Sequence, residues 1–173
     1  SEADKKSITW AIKNNINFIG ISFVRTKQDV QDVEQLIKNS RIKIIAKIET
    51  KKAIEHYKEI IQSTYGVMID RGDLSSEVNI EQIPRLQKMV IKECNAQGKP
   101  VIIATEMMHS MTLNPRPTKS EITDVANAVI DGASALMLSG ETAVGKYPLE
   151  TVTTMKNIIE DIEDEIPMQE LEN

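Results

Sequence analysis

The chain has 173 residues, 40% of them hydrophobic and 27% charged, with a net charge of −5, which is enough for one domain with a real core. Aromatic residues make up 3%, so packing must rest on Ile, Val, Leu, Ala and Met. The acidic balance excludes a nucleic-acid surface, which needs a basic stripe and stacking side chains.

Residues 1–15 read as a polar-faced helix with Ile8, Ala11 and Ile12 on its apolar side and Trp10 near the edge. Phe18 to Val24 is a short apolar run that fits a buried parallel strand, with Arg25 at its end. Helical spacing returns over residues 28–38 through Val30, Val33, Leu36 and Ile37. Ile42 to Ile48 is a β-branched strand, and residues 50–62 read as one helix carrying Ala53, Ile54, Tyr57, Ile60 and Ile61 on one side. Gly66 to Ile69 is a third strand, closed abruptly by Asp70, Arg71, Gly72 and Asp73.

A longer helix is predicted from about Ile83 to Gln97, with Pro84 tolerated in its first turn and Gly98 just past its end. Within it, Cys94, the single cysteine, reads as a small buried hydrophobe. Pro100 to Thr105 is a fourth strand. Asn114-Pro115-Arg116-Pro117 must be a loop, and Thr118-Lys119-Ser120-Glu121 has the spacing of a capping box that opens a helix through Val125, Ala128, Val129 and Ile130. Ala135 to Ser139 is a fifth strand, and Pro148 to about Glu165 the last helix. The expected division is a domain over residues 1–166 and a polar tail over residues 167–173. With no signal sequence and no membrane-length apolar run, the expected address is the cytoplasm.

Strand and helix alternate throughout, so the expected class is α/β with a parallel sheet built by right-handed crossovers. Every strand then ends in polar residues on one side of that sheet. Ser22 and Arg25 follow the first strand, Lys47 and Glu49 the second, and Asp70, Arg71 and Asp73 the third. Thr105 and Glu106 follow the fourth, Ser139 and Glu141 the fifth. Lys47 and Glu49 are two apart and leave the same face of their strand. One charged residue after a strand is usually a solvated loop residue, and Lys47 alone could be a structural ion pair. The recurrence at all five strands favours a site with carboxylates for a hard cation and a lysine for anion charge. His56 and His109 lack metal-ligand spacing.

At these residues the sequence resembles pyruvate kinase. The stretches that carry the resemblance are 44–49 (IIAKIE), 71–74 (RGDL), 98–105 (GKPVIIAT), 115–118 (PRPT), 124–128 (DVANA) and 138–143 (LSGETA), in family order and spacing. The resemblance implies the later part of a (β/α)8 barrel, about five βα units, and transfer of phosphate from phosphoenolpyruvate to ADP, giving pyruvate and ATP in glycolysis. It implies that Lys47 is the catalytic lysine that stabilises the phosphoryl group, and that Glu49 and Asp73 hold Mg2+ or Mn2+. It implies that the backbone of Arg71, Gly72 and Asp73 receives the substrate carboxylate, and that the Thr105 hydroxyl binds the same substrate near the carbon that gains a proton. Ser139 and Glu141 match a supporting shell around that substrate.

The chain departs from the family pattern at Asp70, where a small residue is usual, at Ser75 for glycine and at Glu106 for glutamine. Asp70 brings negative charge to a carboxylate-binding turn. A full barrel takes about 250 residues, so the potassium site, the nucleotide lid and the regulatory domain are expected outside this chain. The chain alone is then a fragment with almost no turnover that self-associates to cover its open edges, the full-length family being a homotetramer. Two other readings stand beside this one: a metal-dependent aldolase or lyase acting on a pyruvate-like enolate, and a non-catalytic interaction module that only uses the fold.

Overall fold

A computed structural model of the chain describes residues 1–165; the polar tail expected from residue 167 lies outside them. The described residues divide into two compact units at the junction of Pro100 and Val101.

The first unit opens with α1 (Glu2–Lys13), capped by Ser1 in a capping box with Asp4. Ala11 is buried, whereas Trp10 is largely exposed. Strand β1 (Phe18–Ile21) leads to α2 (Lys27–Ile37), whose buried residues are Val30 and Ile37. Strand β2 (Lys43–Ile48) is followed by α3 (Lys51–Glu55) and α4 (Tyr57–Ser63). Strand β3 (Gly66–Asp70) runs into the single turn α5 (Arg71–Ser75), and α6 (Ile83–Ala96) completes the unit.

Strands β1, β2 and β3 pair in parallel and in chain order, with Phe18 opposite Lys43, Ile45 opposite Gly66 and Ile48 opposite Ile69. The middle strand is the centre of the core: Ile44, Ile45, Ala46 and Ile48 are buried, as are Ile60, Ile61, Val67, Ile69, Leu74, Val90 and Ile91. Cys94 is fully buried, and burial pushes its thiol up to about 12. Pro84 stands in the first turn of α6 and Gly98 takes a left-handed φ of +62° just past its end, as the sequence requires.

Two expectations are corrected. The first strand is neither seven residues long nor buried. It stops at Ile21, and Phe18 is 49% exposed, because among the described residues of this unit β1 pairs on one side only, with β2. The exposed ring of Phe18 leans on Tyr65, and Lys43 stands over the Tyr65 ring 4.1 Å from its centre. Likewise residues 50–62 are two helices. The backbone leaves helical geometry at His56 (φ −116°, ψ 13°), and the second segment puts both Ile60 and Ile61 into the core.

Gly66 is required by space rather than by φ. A Cβ there would meet the Pro100 carbonyl oxygen at 2.7 Å and its ring Cγ at 2.8 Å. That carbonyl already accepts the Val67 amide at 3.0 Å, so it cannot retreat freely. Gly66→Ala is expected to cost about 2 kcal/mol and lower the melting temperature by about 4 to 8 °C, checked by thermal denaturation followed by circular dichroism.

The second unit pairs β4 (Val101–Ala104) in parallel with β5 (Ala135–Met137), joined by α7 (Lys119–Ile130). The predicted capping box is present: Thr118 accepts the Glu121 amide, and the Glu121 carboxylate accepts the Thr118 amide at 2.7 Å. Short α8 (Gly140–Ala143) and long α9 (Pro148–Glu165) follow. Val101, Ile103, Met107, Met108, Met111, Val125, Ala128 and Met155 form the core here. Among the described residues no helix is long and apolar enough to cross a membrane.

Candidate active site

Strand β2 delivers the centre of the site. Its alternation places Ile44, Ala46 and Ile48 on one side and Ile45 and Lys47 on the other, and the chain then turns into α3 with Thr50 as N-cap. Glu49, in that turn, is completely buried. One of its oxygens, Oε1, accepts the backbone amide of Phe23, which the turn after β1 presents with a left-handed φ of +56°. The other, Oε2, is buried without a hydrogen-bond partner, although the Lys47 ammonium stands 2.9 Å away.

Lys47 is the hub. Its Nζ is 2.9 Å from Glu49 Oε2, 2.9 Å from Asp70 Oδ2 and 3.4 Å from the hydroxyl of Ser22. Burial would push the ammonium down, but the Glu49 and Asp70 carboxylates beside it outweigh that and hold the group above its ordinary value of 10.5. The lysine is therefore cationic at neutral pH. Its contribution to stability is fully present below 10.5 and is lost only as pH rises through the higher folded value.

Asp70 ends β3 and begins α5. As N-cap it faces the Asp73 amide through Oδ1 at 3.5 Å, while Oδ2 faces Lys47. Lys47 thus supplies a counter-charge for the departure at position 70. The Arg71 side chain is buried and directed at Gln87 of α6, 3.4 Å away. Ser75, the second departure, donates its hydroxyl to the Gly72 carbonyl at 2.7 Å and so closes the same turn. Carboxylate oxygens of Glu49, Asp70 and Asp73 lie within 4.8 Å of one another, the first two buried and the third exposed. An unsatisfied buried carboxylate oxygen beside two more acids is the donor set a small hard cation takes. The residues present fit such an ion.

Lys47, Glu49, Arg71, Gly72 and Asp73 are therefore gathered in the first unit, and Thr105, Ser139 and Glu141 belong to the second. Asp70 was legible only as a departure. The signal that would have found it is an Asp at a strand end with a second Asp three residues on, which is N-cap spacing.

In the second unit, Thr105 has φ +69° and Glu106 φ +54°. A β-branched residue in that region is a strained outlier of the kind that collects at functional sites. The Thr105 hydroxyl donates to the Ala104 carbonyl at 2.6 Å. Thr105→Gly is expected to raise stability by about 1 kcal/mol, the relief of strain exceeding the entropy cost of glycine, while removing the hydroxyl from the chemistry. Thermal melts beside turnover measurements check both halves.

Glu141 is 2% exposed and spent on backbone: Oε1 accepts the Met108 amide at 3.2 Å and Oε2 the Ser139 amide at 2.8 Å. It ties the segment after β4 to the segment after β5. Ser139, half-buried, is the N-cap position of α8.

A family model described as "Pyruvate kinase, barrel domain" matches residues 1–152. The chain is 47% identical over 157 residues to Pyruvate kinase 2 of Candida glabrata, covering 90% of this chain and 31% of that protein. It is 48% identical over 161 residues to the pyruvate kinase of Geobacillus stearothermophilus, covering 91% of this chain and 27% of that protein. A crystal structure of a pyruvate kinase from Cryptosporidium parvum superposes with a TM-score of 0.94 at 41% identity, covering 96% of this chain and 36% of that one. The chain thus spans about a third of the length of the relatives it matches. Its parallel βα repeats are a portion of a (β/α) barrel.

Proposed function

The chain belongs to the pyruvate kinase family, as part of its barrel domain, and from that premise we propose that the protein carrying it transfers phosphate from phosphoenolpyruvate to ADP, giving pyruvate and ATP. The observation that supports the reading most is the ammonium of Lys47 held at 2.9 Å from the carboxylate of Glu49, whose Oε2 is buried and lacks a hydrogen-bond partner, with Asp73 beside it. Phosphoryl transfer asks for this combination, a fixed cation next to oxygen ligands for a second, divalent one.

In this reading Glu49 and Asp73 hold Mg2+ or Mn2+. When bound, the ion supplies a Lewis acid that draws charge from substrate oxygens. Lys47 neutralises the phosphoryl group as it moves, and the buried side of the pair keeps that ammonium from swinging into water. By the family pattern, amides of Arg71, Gly72 and Asp73 in the first unit receive the substrate carboxylate, which must displace Asp70 Oδ1 from the Asp73 amide. In the second unit, Thr105 Oγ1 is the hydroxyl assigned to the carbon that gains a proton. Ser139 and Glu141 hold the neighbouring backbone. The K+ and the nucleotide contacts of the family are supplied by residues outside this chain.

The test is ADP-dependent pyruvate formation from phosphoenolpyruvate, in Mg2+ and K+, by the protein carrying this chain. Glu49→Gln and Asp73→Asn are each expected to lower kcat at least a hundredfold and to raise the Mg2+ needed for half-maximal rate. The 173-residue chain by itself is expected to turn over almost no substrate. Pyruvate release from oxaloacetate without nucleotide, and no ADP-dependent transfer, would replace the kinase reading with a lyase.

A further inference from the structure

Asp70 carries more than a helix cap. Resting on the metal-assisted reading above, we propose that Asp70 is a third carboxylate arm for the divalent ion, and that Lys47 is the resident cation that fills the cluster until the ion arrives.

Three observations converge. Oxygens of Glu49, Asp70 and Asp73 lie within 4.8 Å of one another. An octahedral ion with oxygens at about 2.1 Å sets neighbouring ligand atoms roughly 3 to 4 Å apart, so a small contraction closes the cluster. Independently, Glu49 Oε2 is completely buried without a hydrogen-bond partner, and it faces this cluster. A buried carboxylate oxygen left in that condition is costly unless a cation completes it. Finally, the cation that stands there, Lys47 Nζ, divides itself equally between Glu49 Oε2 and Asp70 Oδ2 at 2.9 Å each.

A small residue at position 70 would bring one carboxylate fewer to the cluster. The two oxygens of Asp70 also divide the work, Oδ1 facing the Asp73 amide at 3.5 Å and Oδ2 facing the cluster. Capping therefore uses the oxygen that Lys47 does not face. Asparagine and serine cap a helix about as well as aspartate but bring no charge, so the two roles separate cleanly.

The experiment is calorimetric titration of Mn2+, without substrate or nucleotide, into the chain and its Glu49→Gln, Asp70→Asn, Asp70→Ser and Lys47→Met variants, each first checked for folding by circular dichroism. One ion is expected to bind, Glu49→Gln to abolish it, and both Asp70 variants to weaken it tenfold or more. Lys47→Met is expected to bind Mn2+ more tightly, its competing ammonium being gone. Asp70 variants that match the parent affinity while Glu49→Gln loses the ion would overturn the role of Asp70 and leave the kinase reading intact. Lys47→Met that binds no more tightly would overturn the resident-cation role. A parent chain that binds no Mn2+ would overturn both this proposal and the metal-assisted reading.

Discussion

Lys47→Met is expected to lower kcat of the phosphoryl transfer by about a hundred- to a thousandfold, the range seen when one preorganised charge is removed from a developing oxyanion. Methionine keeps the length and apolar stem, so the loss isolates the charge. The variant should also be less stable than the parent without metal. Lys47 is the charged neighbour at 2.9 Å from a completely buried Glu49 oxygen, and taking one partner from a buried pair costs about 3 kcal/mol. Adding Mn2+ should return most of that stability without returning turnover. Steady-state kinetics and thermal melts with and without Mn2+ check the split. A variant whose turnover fell only severalfold would place the transition-state charge elsewhere.

Glu141→Ala is expected to destabilise the second unit. Its carboxylate is 2% exposed and accepts the amides of Met108 and Ser139. Alanine would leave two backbone donors without acceptors in a methionine-rich core and add a cavity. Each orphaned amide costs roughly 1 to 3 kcal/mol, so the variant should lose about 3 kcal/mol and melt about 6 to 12 °C lower. Glu141→Gln, which keeps an acceptor but adds an NH2 toward one amide, should fall between. An unchanged melt for Glu141→Ala would mean that water replaces the carboxylate, contrary to its burial.

Much of this was legible in the sequence wherever the signal is local. The β-branched run over 42–48 can only be buried strand, and residues 118–121 spell out their own cap. Pro84 and Gly98 bracket α6 by what they cannot do elsewhere. The miss at β1 is of another kind: Phe18 and Ile19 are apolar enough for a core, but exposure depends on how many neighbours a strand has, which composition does not encode. The break at His56 hides inside helical spacing for a similar reason, since the periodicity of Ala53, Tyr57 and Ile60 is satisfied by two short helices as well as by one. At the site, Lys47 and Glu49 were visible because charges two apart at the end of a buried strand demand partners. The identity of those partners was less visible. Asp70 looked like a misplaced charge until its two oxygens were found on Lys47 and on the Asp73 amide. The left-handed backbone of Thr105 had no signal at all, because a threonine is the last residue its conformation would suggest.

The parallel ladder of the first unit has one further consequence, for the order in which the protein is made. Each strand pairs with the strand just before it, β2 on β1 and β3 on β2, and the helix between them closes the loop. Strand β2 therefore finds both of its partners in neighbouring repeats, whereas β3 waits for the end of the unit, where the Pro100 carbonyl accepts the Val67 amide. Each pairing closes a short loop at low entropic cost, so the ladder can grow one βα repeat at a time, although a parallel sheet of this kind stays open to mispairing until its later repeats are in place. Within this chain the Lys47 cluster needs only the stretch from Ser22 to Asp73, so it can form before α6 has been synthesised.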